Sequence, residues 1–252
     1  MEKAYPVLKK GLSGQAIRLI AMGAMLCDHL WVALVQGNDW LTYIGRIAFP
    51  LFAFLLVEGF FRTSSRPRYL ARLLLFAVIS EVPFNLMHSG RLLDPSYQNV
   101  LWTLALGLAA MWAIQLVRMR LNNTVTTGAA TVLAALAAMY IADRLLSDYF
   151  GFGILTVLLF YTTRSLRYAK MGQLLGMIWI NVVLMSGVSV DWLLGGQPIR
   201  FPLQSFALLS LLLIWKYNGR RGPDSPLLQY VSYGFYPAHL LVLALLAMGG
   251  PR

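Results

Sequence analysis

The chain is poor in almost everything from which a water-soluble enzyme is built. Of its 252 residues only 10 are Asp or Glu, 3 are His and 1 is Cys, and charged residues of both signs make up 12%. So little charge cannot solvate a surface, which excludes an ordinary soluble domain. The single cysteine, Cys27, excludes an internal disulfide and any cysteine-based zinc site. Gly/Ser linkers, heptads and internal repeats are missing too, so residues 1–252 read as one domain. The segment before the first apolar run is short and basic and has no small-residue cleavage site, so no cleavable signal peptide is expected.

What is abundant is apolar. Hydrophobic residues make up 58% and mean hydropathy is +0.64, values of an all-α polytopic membrane protein. Counting stretches of about 17–25 mostly apolar residues predicts nine helices near 15–36, 41–61, 68–88, 98–117, 125–146, 149–163, 172–190, 202–216 and 227–248, the sixth and eighth being short. The formal charge of +11 then reads as a topology signal and not as nucleic-acid binding. With the amino terminus in the cytoplasm, fifteen Lys and Arg fall in inner segments, among them Arg62, Arg72, Arg118, Arg164, Lys216 and Arg221. Only Arg91, Arg144, Arg200 and Arg252 fall outside. This is the positive-inside bias. Trp40, Tyr43, Tyr97, Trp102, Trp192 and Trp215 lie near predicted helix ends and suit interfacial belts.

Ionisable residues inside such helices cost roughly 2.5–3.5 kcal/mol each on insertion scales and therefore mark function. Helix 1 carries Arg18, Asp28 and His29. Arg18 and His29 are eleven residues apart and return to nearly the same face after about three turns, about 16 Å along the axis. Topology sorts the polar residues into two layers. Arg18, Glu58 and Arg72 form a net-positive inner layer suited to phosphate, which the guanidinium fork matches. Asp28, His29, Arg46, Glu81, Asn85 and Asn99 form an outer layer rich in acid–base groups. His29 suits general-base chemistry. Asp28, about 100° away from its neighbour on the helix, either supports His29 or pairs with Arg46 across helices. Each buried acid has an alternative reading as a salt bridge to Arg46 or Arg72. Pro50 and Pro83 are expected to bend their helices. Cys27, among apolar residues, reads as a small hydrophobe. His239 lies mid-span in the last helix and is placed with the cavity; His88 is placed at an interface. No metal site is expected.

Several of these residues carry a resemblance. Asp28-His29, Gly45-Arg46-Ile-Ala-Phe-Pro50, Glu58-Gly59-Phe60, Tyr69 with Arg72, Ser80-Glu81-Val-Pro83-Phe84, Asn99 with Thr103 and Gly107, Asp148-Tyr149 with Gly151 and Gly153, and Phe235-Tyr-Pro-Ala-His239 together resemble the TraX family, named for the F-pilin acetylase of conjugative plasmids. That family is in turn similar to the transmembrane acyltransferases, including the acyltransferase-3 enzymes, where a first-helix arginine precedes an essential histidine at a spacing like that of Arg18 and His29.

The resemblance implies a membrane acyltransferase of the bacterial inner membrane, with acetyl-CoA as donor. The acceptor would be an amine or hydroxyl (a peptide amino terminus, a sugar or a small molecule) reached from the bilayer or the outer side. It implies His29 as base or transient acyl carrier, with Asp28 beside it. Arg18 and Arg72 would meet the CoA phosphates, Arg46 or Asn99 would stabilise the oxyanion, and Glu58, Glu81, Asn85, Asn99, Asp148 and His239 would line the cavity. Self-association is left open. The competing class is a transporter, since buried acids, His and Arg also line substrate paths; the missing internal repeat and the odd helix count weigh against it.

Overall fold

The computed structural model describes residues 10–121, 123–195, 197–223 and 226–249. Helices occupy α1 Gly14–Ala33, α2 Trp40–Gly45, α3 Ala48–Arg62, α4 Arg66–Ser89, α5 Val100–Arg120, α6 Thr124–Arg144, α7 Phe150–Thr163, α8 Ala169–Ile178, α9 Ser210–Ile214 and α10 Pro226–Gly249. The protein is thus the all-α polytopic membrane protein expected. Six helical stretches are long and apolar enough to cross a bilayer: α1, α2 with α3, α4, α5, α6 and the part of α10 from Val231. The three others, around α7, α8 and α9, are shorter. Large apolar side chains point outward along the long helices, such as Val78 on α4, Leu133 on α6 and Leu245 on α10, each more than half exposed. In water this would be an aggregation surface; in lipid it is the required one.

Two local features depart from expectation. The stretch 172–190 leaves the helix at Leu184 after a π-helical turn, and Ser189–Leu194 (β1) pairs antiparallel with Gln197–Pro202 (β2). Gly195 opens the turn at φ +60°, and Pro198 and Pro202 could not continue a helix. Asp191 faces Arg200 across the ribbon; Nε and Nη2 donate to the two carboxylate oxygens at 2.8 and 3.1 Å. These bonds hold the Asp191 carboxyl below its ordinary range. The second departure is at Pro50, where a bend was expected within one helix. Instead α2 ends at Gly45 and α3 begins at Ala48. Pro50 then sits in the first turn of α3, where its missing N–H costs least.

Contacts group the described residues into two units, one within Met1–Leu55 and Thr162–Pro226, the other within Leu56–Tyr161 and Leu227–Arg252. In the first, α1 packs along α2, and the start of α1 is stitched to the loop after α9. The Gly14 and Gln15 amides donate to the Arg220 and Arg221 carbonyls, both at 2.8 Å, and Ser13 caps Ala16. Gly222 closes this loop at φ +87°, and a Cβ there would meet Ser13 Cβ at 2.8 Å. In the second unit, Ser65, Asn99 and Asn123 cap α4, α5 and α6. Gly107 lets α5 approach α7, since a Cβ would touch Val157 at 3.0 Å.

Gly222→Ala adds a left-handed alanine as well as that clash, and should lower stability by about 1–2 kcal/mol or more. The thermal midpoint in detergent reads this directly, and an unchanged midpoint would contradict the loop geometry.

Candidate functional site

In the first unit the site is built on α1 and α2. Arg46 Nη2 donates to Asp28 Oδ1, Thr42 Oγ1 donates to the same oxygen at 2.7 Å, and Arg46 Nε donates to the Thr42 carbonyl at 3.3 Å. The two charged side chains are 17% and 18% exposed. Of the two expectations for Asp28, the cross-helix pair is therefore the one formed. Gly45 makes it feasible: any Cβ at that position would overlap the Asp28 side chain, so a residue other than glycine would push α2 away. His29, half-buried, is the next residue on α1. Arg18, also half-buried, donates Nη1 to Gln15 Oε1 at 3.0 Å.

In the second unit the centre is Glu81. Its Oε1 accepts from the Asn99 backbone at 3.2 Å, from Asn99 Nδ2 and from Trp102 Nε1 at 2.7 Å, while its Oε2 is buried with no partner. The carboxylate is thus clamped by N–H groups at one oxygen instead of being paired with Arg72. Asn99, completely buried, caps α5 by accepting from Leu101 N at 3.0 Å and gives its other amide hydrogen to the Ala77 carbonyl at 2.9 Å. Both hydrogens are used, so Asn99 in this arrangement has none for an oxyanion. Asn85 is buried, with Oδ1 unpartnered and a long 3.5 Å contact from Nδ2 to the Leu92 carbonyl.

The same end of this unit holds Asp148. Tyr97 donates to its carboxylate, and Thr103 Oγ1 donates to its carbonyl with Ser147 Oγ 3.1 Å from the same hydroxyl. The backbone around it is strained: Leu146, Tyr149 and Phe150 all have positive φ, 51°, 65° and 47°, each costing on the order of 1–3 kcal/mol. It is pinned by bonds from Gln98 N to the Leu146 carbonyl and from Asp148 N to the Gln98 carbonyl, at 3.0 and 2.9 Å. The Tyr236 hydroxyl meets the Val100 amide and lies within electrostatic range of Asp148 and Glu81. One turn on, His239 Nδ1 lies 2.7 Å from the Phe235 carbonyl. A carbonyl only accepts, so the proton sits on Nδ1 and the imidazole tautomer is set.

Two expected members stand apart. Glu58, 3% exposed, takes Arg62 Nη2 at 3.1 Å and not Arg72. Arg72 is exposed, its guanidinium 5.8 Å from the Tyr69 ring centre. Among the described residues no three His, Cys, Asp or Glu side chains are grouped to hold a metal ion. Thr42, Tyr97 and Trp102 were not expected in the site. The two aromatics read as interface anchors from sequence, and nothing in a lone indole announces an acid 21 residues earlier.

If Asp28 and Arg46 act as a unit, a double-mutant cycle with Asp28→Asn and Arg46→Gln should return a coupling of about 1–3 kcal/mol in unfolding free energy. Gly45→Ala should weaken the fold in the same direction. Additive single effects would show that the pair is incidental.

A family description, TraX protein, matches residues 13–247. A probable fimbrial assembly protein FimC, serogroup H1, of Dichelobacter nodosus is 28% identical over 239 residues, covering 90% of this chain and 92% of that protein. No solved structure matches significantly. The matched region includes every residue of both clusters, and the chain, a multi-pass membrane protein, belongs to the TraX family.

Proposed function

We propose that this protein is an acetyltransferase of the bacterial inner membrane, with its amino terminus in the cytoplasm, that moves an acetyl group from cytosolic acetyl-CoA to an amine or hydroxyl reached from the outer side or the bilayer. The observation that carries this reading is the family match across residues 13–247. Support comes from the position of His29 next to the Asp28–Arg46 pair within helices long enough to span. The likeness to a fimbrial assembly protein favours a surface-fibre subunit, acetylated at its amino terminus, as acceptor.

In this reading the acceptor nitrogen or oxygen attacks the thioester carbonyl while His29 takes its proton. Negative charge develops on the carbonyl oxygen, and the Arg46 guanidinium, held beside Asp28 and the Thr42 carbonyl, meets it. The C–S bond then breaks, and the proton on His29 returns to the CoA sulfur. Asp28 has a positioning role: it holds the guanidinium and keeps a net charge of zero across the pair. In the second unit Glu81, Asn99, Asp148, Tyr236 and His239 supply a hydrogen-bonded polar framework that also requires function to justify its burial. A transporter would move a solute without consuming acetyl-CoA.

Purified protein in nanodiscs, given acetyl-labelled acetyl-CoA, should either retain label or release CoA slowly to water. His29→Ala should do neither, with loss of about 10²-fold or more and an unchanged thermal midpoint. Equal CoA release by wild type and variant would remove His29 from the mechanism, and no CoA chemistry under any condition would overturn the reading.

A further inference from the structure

The first unit carries a basic surface that the mechanism above does not use. Residues 10–27, 162–190 and 201–223 contain no Asp or Glu, yet hold Lys10, Arg18, Arg164, Arg167, Lys170, Lys216, Arg220 and Arg221. Much of this charge is drawn around one loop. Leu12 N donates to the Lys216 carbonyl and Asn218 N to the Leu12 carbonyl, at 2.8 and 2.9 Å, beside the two bonds that hold Gly14 and Gln15 under Arg220 and Arg221. Lys170 Nζ lies 5.7 Å from the Trp215 ring centre, and Trp215 Nε1 donates to Gln173 at 2.8 Å, which brings α8 to the same loop. The side chains of Lys216, Arg220 and Arg221 are exposed.

Beneath the loop is a buried donor with no acceptor among the described residues. Gln15 is 6% exposed and packs against Gly222, where a Cβ would come within 3.2 Å of its own Cβ. Its Oε1 receives Arg18 Nη1. Arginine only donates, so the oxygen must face it and the amide cannot be turned round. That leaves Gln15 Nε2 buried and without an acceptor among the described residues. A topological preference for inner cations needs only that they stay out of the bilayer; it does not leave a buried amide unmatched. A buried amide donor beside several exposed cations asks for an acceptor, and the acceptor that suits several cations at once is phosphate. The amides at the start of α1 are not the ligand, since loop carbonyls and Ser13 already occupy them.

We propose that the loop 216–222, with Gln15 and Arg18 beneath it, is a binding site for a phosphate-bearing anion. On the acyltransfer reading, on which this assignment of the ligand rests, the anion is the nucleotide end of the CoA thioester. This locates donor recognition on the loop, with Arg18, and not on Arg72. A lipid phosphate offers the same chemistry, and the test separates the two.

Wild-type protein in phosphatidylcholine nanodiscs is titrated calorimetrically with CoA and with 3′-dephospho-CoA, next to an R220Q/R221Q double variant and to Gln15→Leu. The exposed arginines can be changed without touching the backbone carbonyls that hold α1, and the thermal midpoint verifies that both variants fold. CoA should bind the wild type, at least tenfold more weakly the double variant and several-fold more weakly Gln15→Leu, with a shallower salt dependence in the double variant. CoA binding that is equal in all three proteins overturns the site and leaves the acyltransfer reading standing. If the wild type binds no CoA but retains phosphatidylglycerol in native mass spectra, and the double variant loses it, the phosphate site is upheld as a lipid site and the acyl-CoA reading falls. If the wild type holds neither, both fall.

Discussion

A carboxylate and a guanidinium within membrane-spanning helices must satisfy each other or carry several kcal/mol of uncompensated charge. The arrangement of α1 and α2 follows from that constraint. Asp28 and Arg46 can meet only if the two helices approach closely, and they do so at Gly45, where no side chain would fit beside Asp28. Thr42 bonds the same carboxylate oxygen one turn earlier. The interruption between α2 and α3 then places Arg46 at a helix end, and Pro50 makes that interruption inexpensive. A histidine held next to this neutralised pair sits in a polar spot within an otherwise apolar span, which is where proton transfer to or from a substrate becomes feasible.

The second unit solves the same problem by other means. Glu81 has no cation among its described bonds; backbone, amide and indole N–H groups surround one of its oxygens. N–H donors here stand where Arg46 stands beside Asp28. Nearby, three non-glycine residues with positive φ hold Asp148 against Tyr97 and Thr103. Strain of that kind persists only where the surroundings over-determine the backbone, and the bonds to Gln98 do so.

Much of this was legible in the sequence, and the gaps have physical causes. Long apolar runs identified the spanning helices because composition alone decides them. The Asp28–Arg46 partnership was readable as one of two options, since the residues fall near the facing ends of two consecutive apolar runs. The β1–β2 ribbon was not, because Val, Ile, Trp and Leu serve a short strand and an apolar helix equally well and only Gly195 and the prolines argue otherwise. Asn99 looked like a free amide because sequence does not reveal that a helix cap and a distant glutamate would claim it. Arg62, one turn after Glu58, was the nearer partner on the same helix face and outcompeted Arg72. The Gln15 amide was invisible, for an orphan donor exists only once its neighbours are known.

On the proposed reading, this TraX-family membrane protein consumes an acyl-CoA from its cation-rich face. The most direct test is sidedness. Protein reconstituted into sealed liposomes, with its orientation mapped by protease access to the loop 216–222, is supplied with acetyl-CoA on one face at a time, and released CoA is measured. Release should follow the fraction of molecules whose 216–222 loop faces the donor. Release that is indifferent to orientation, or that comes from the opposite face, would contradict the account.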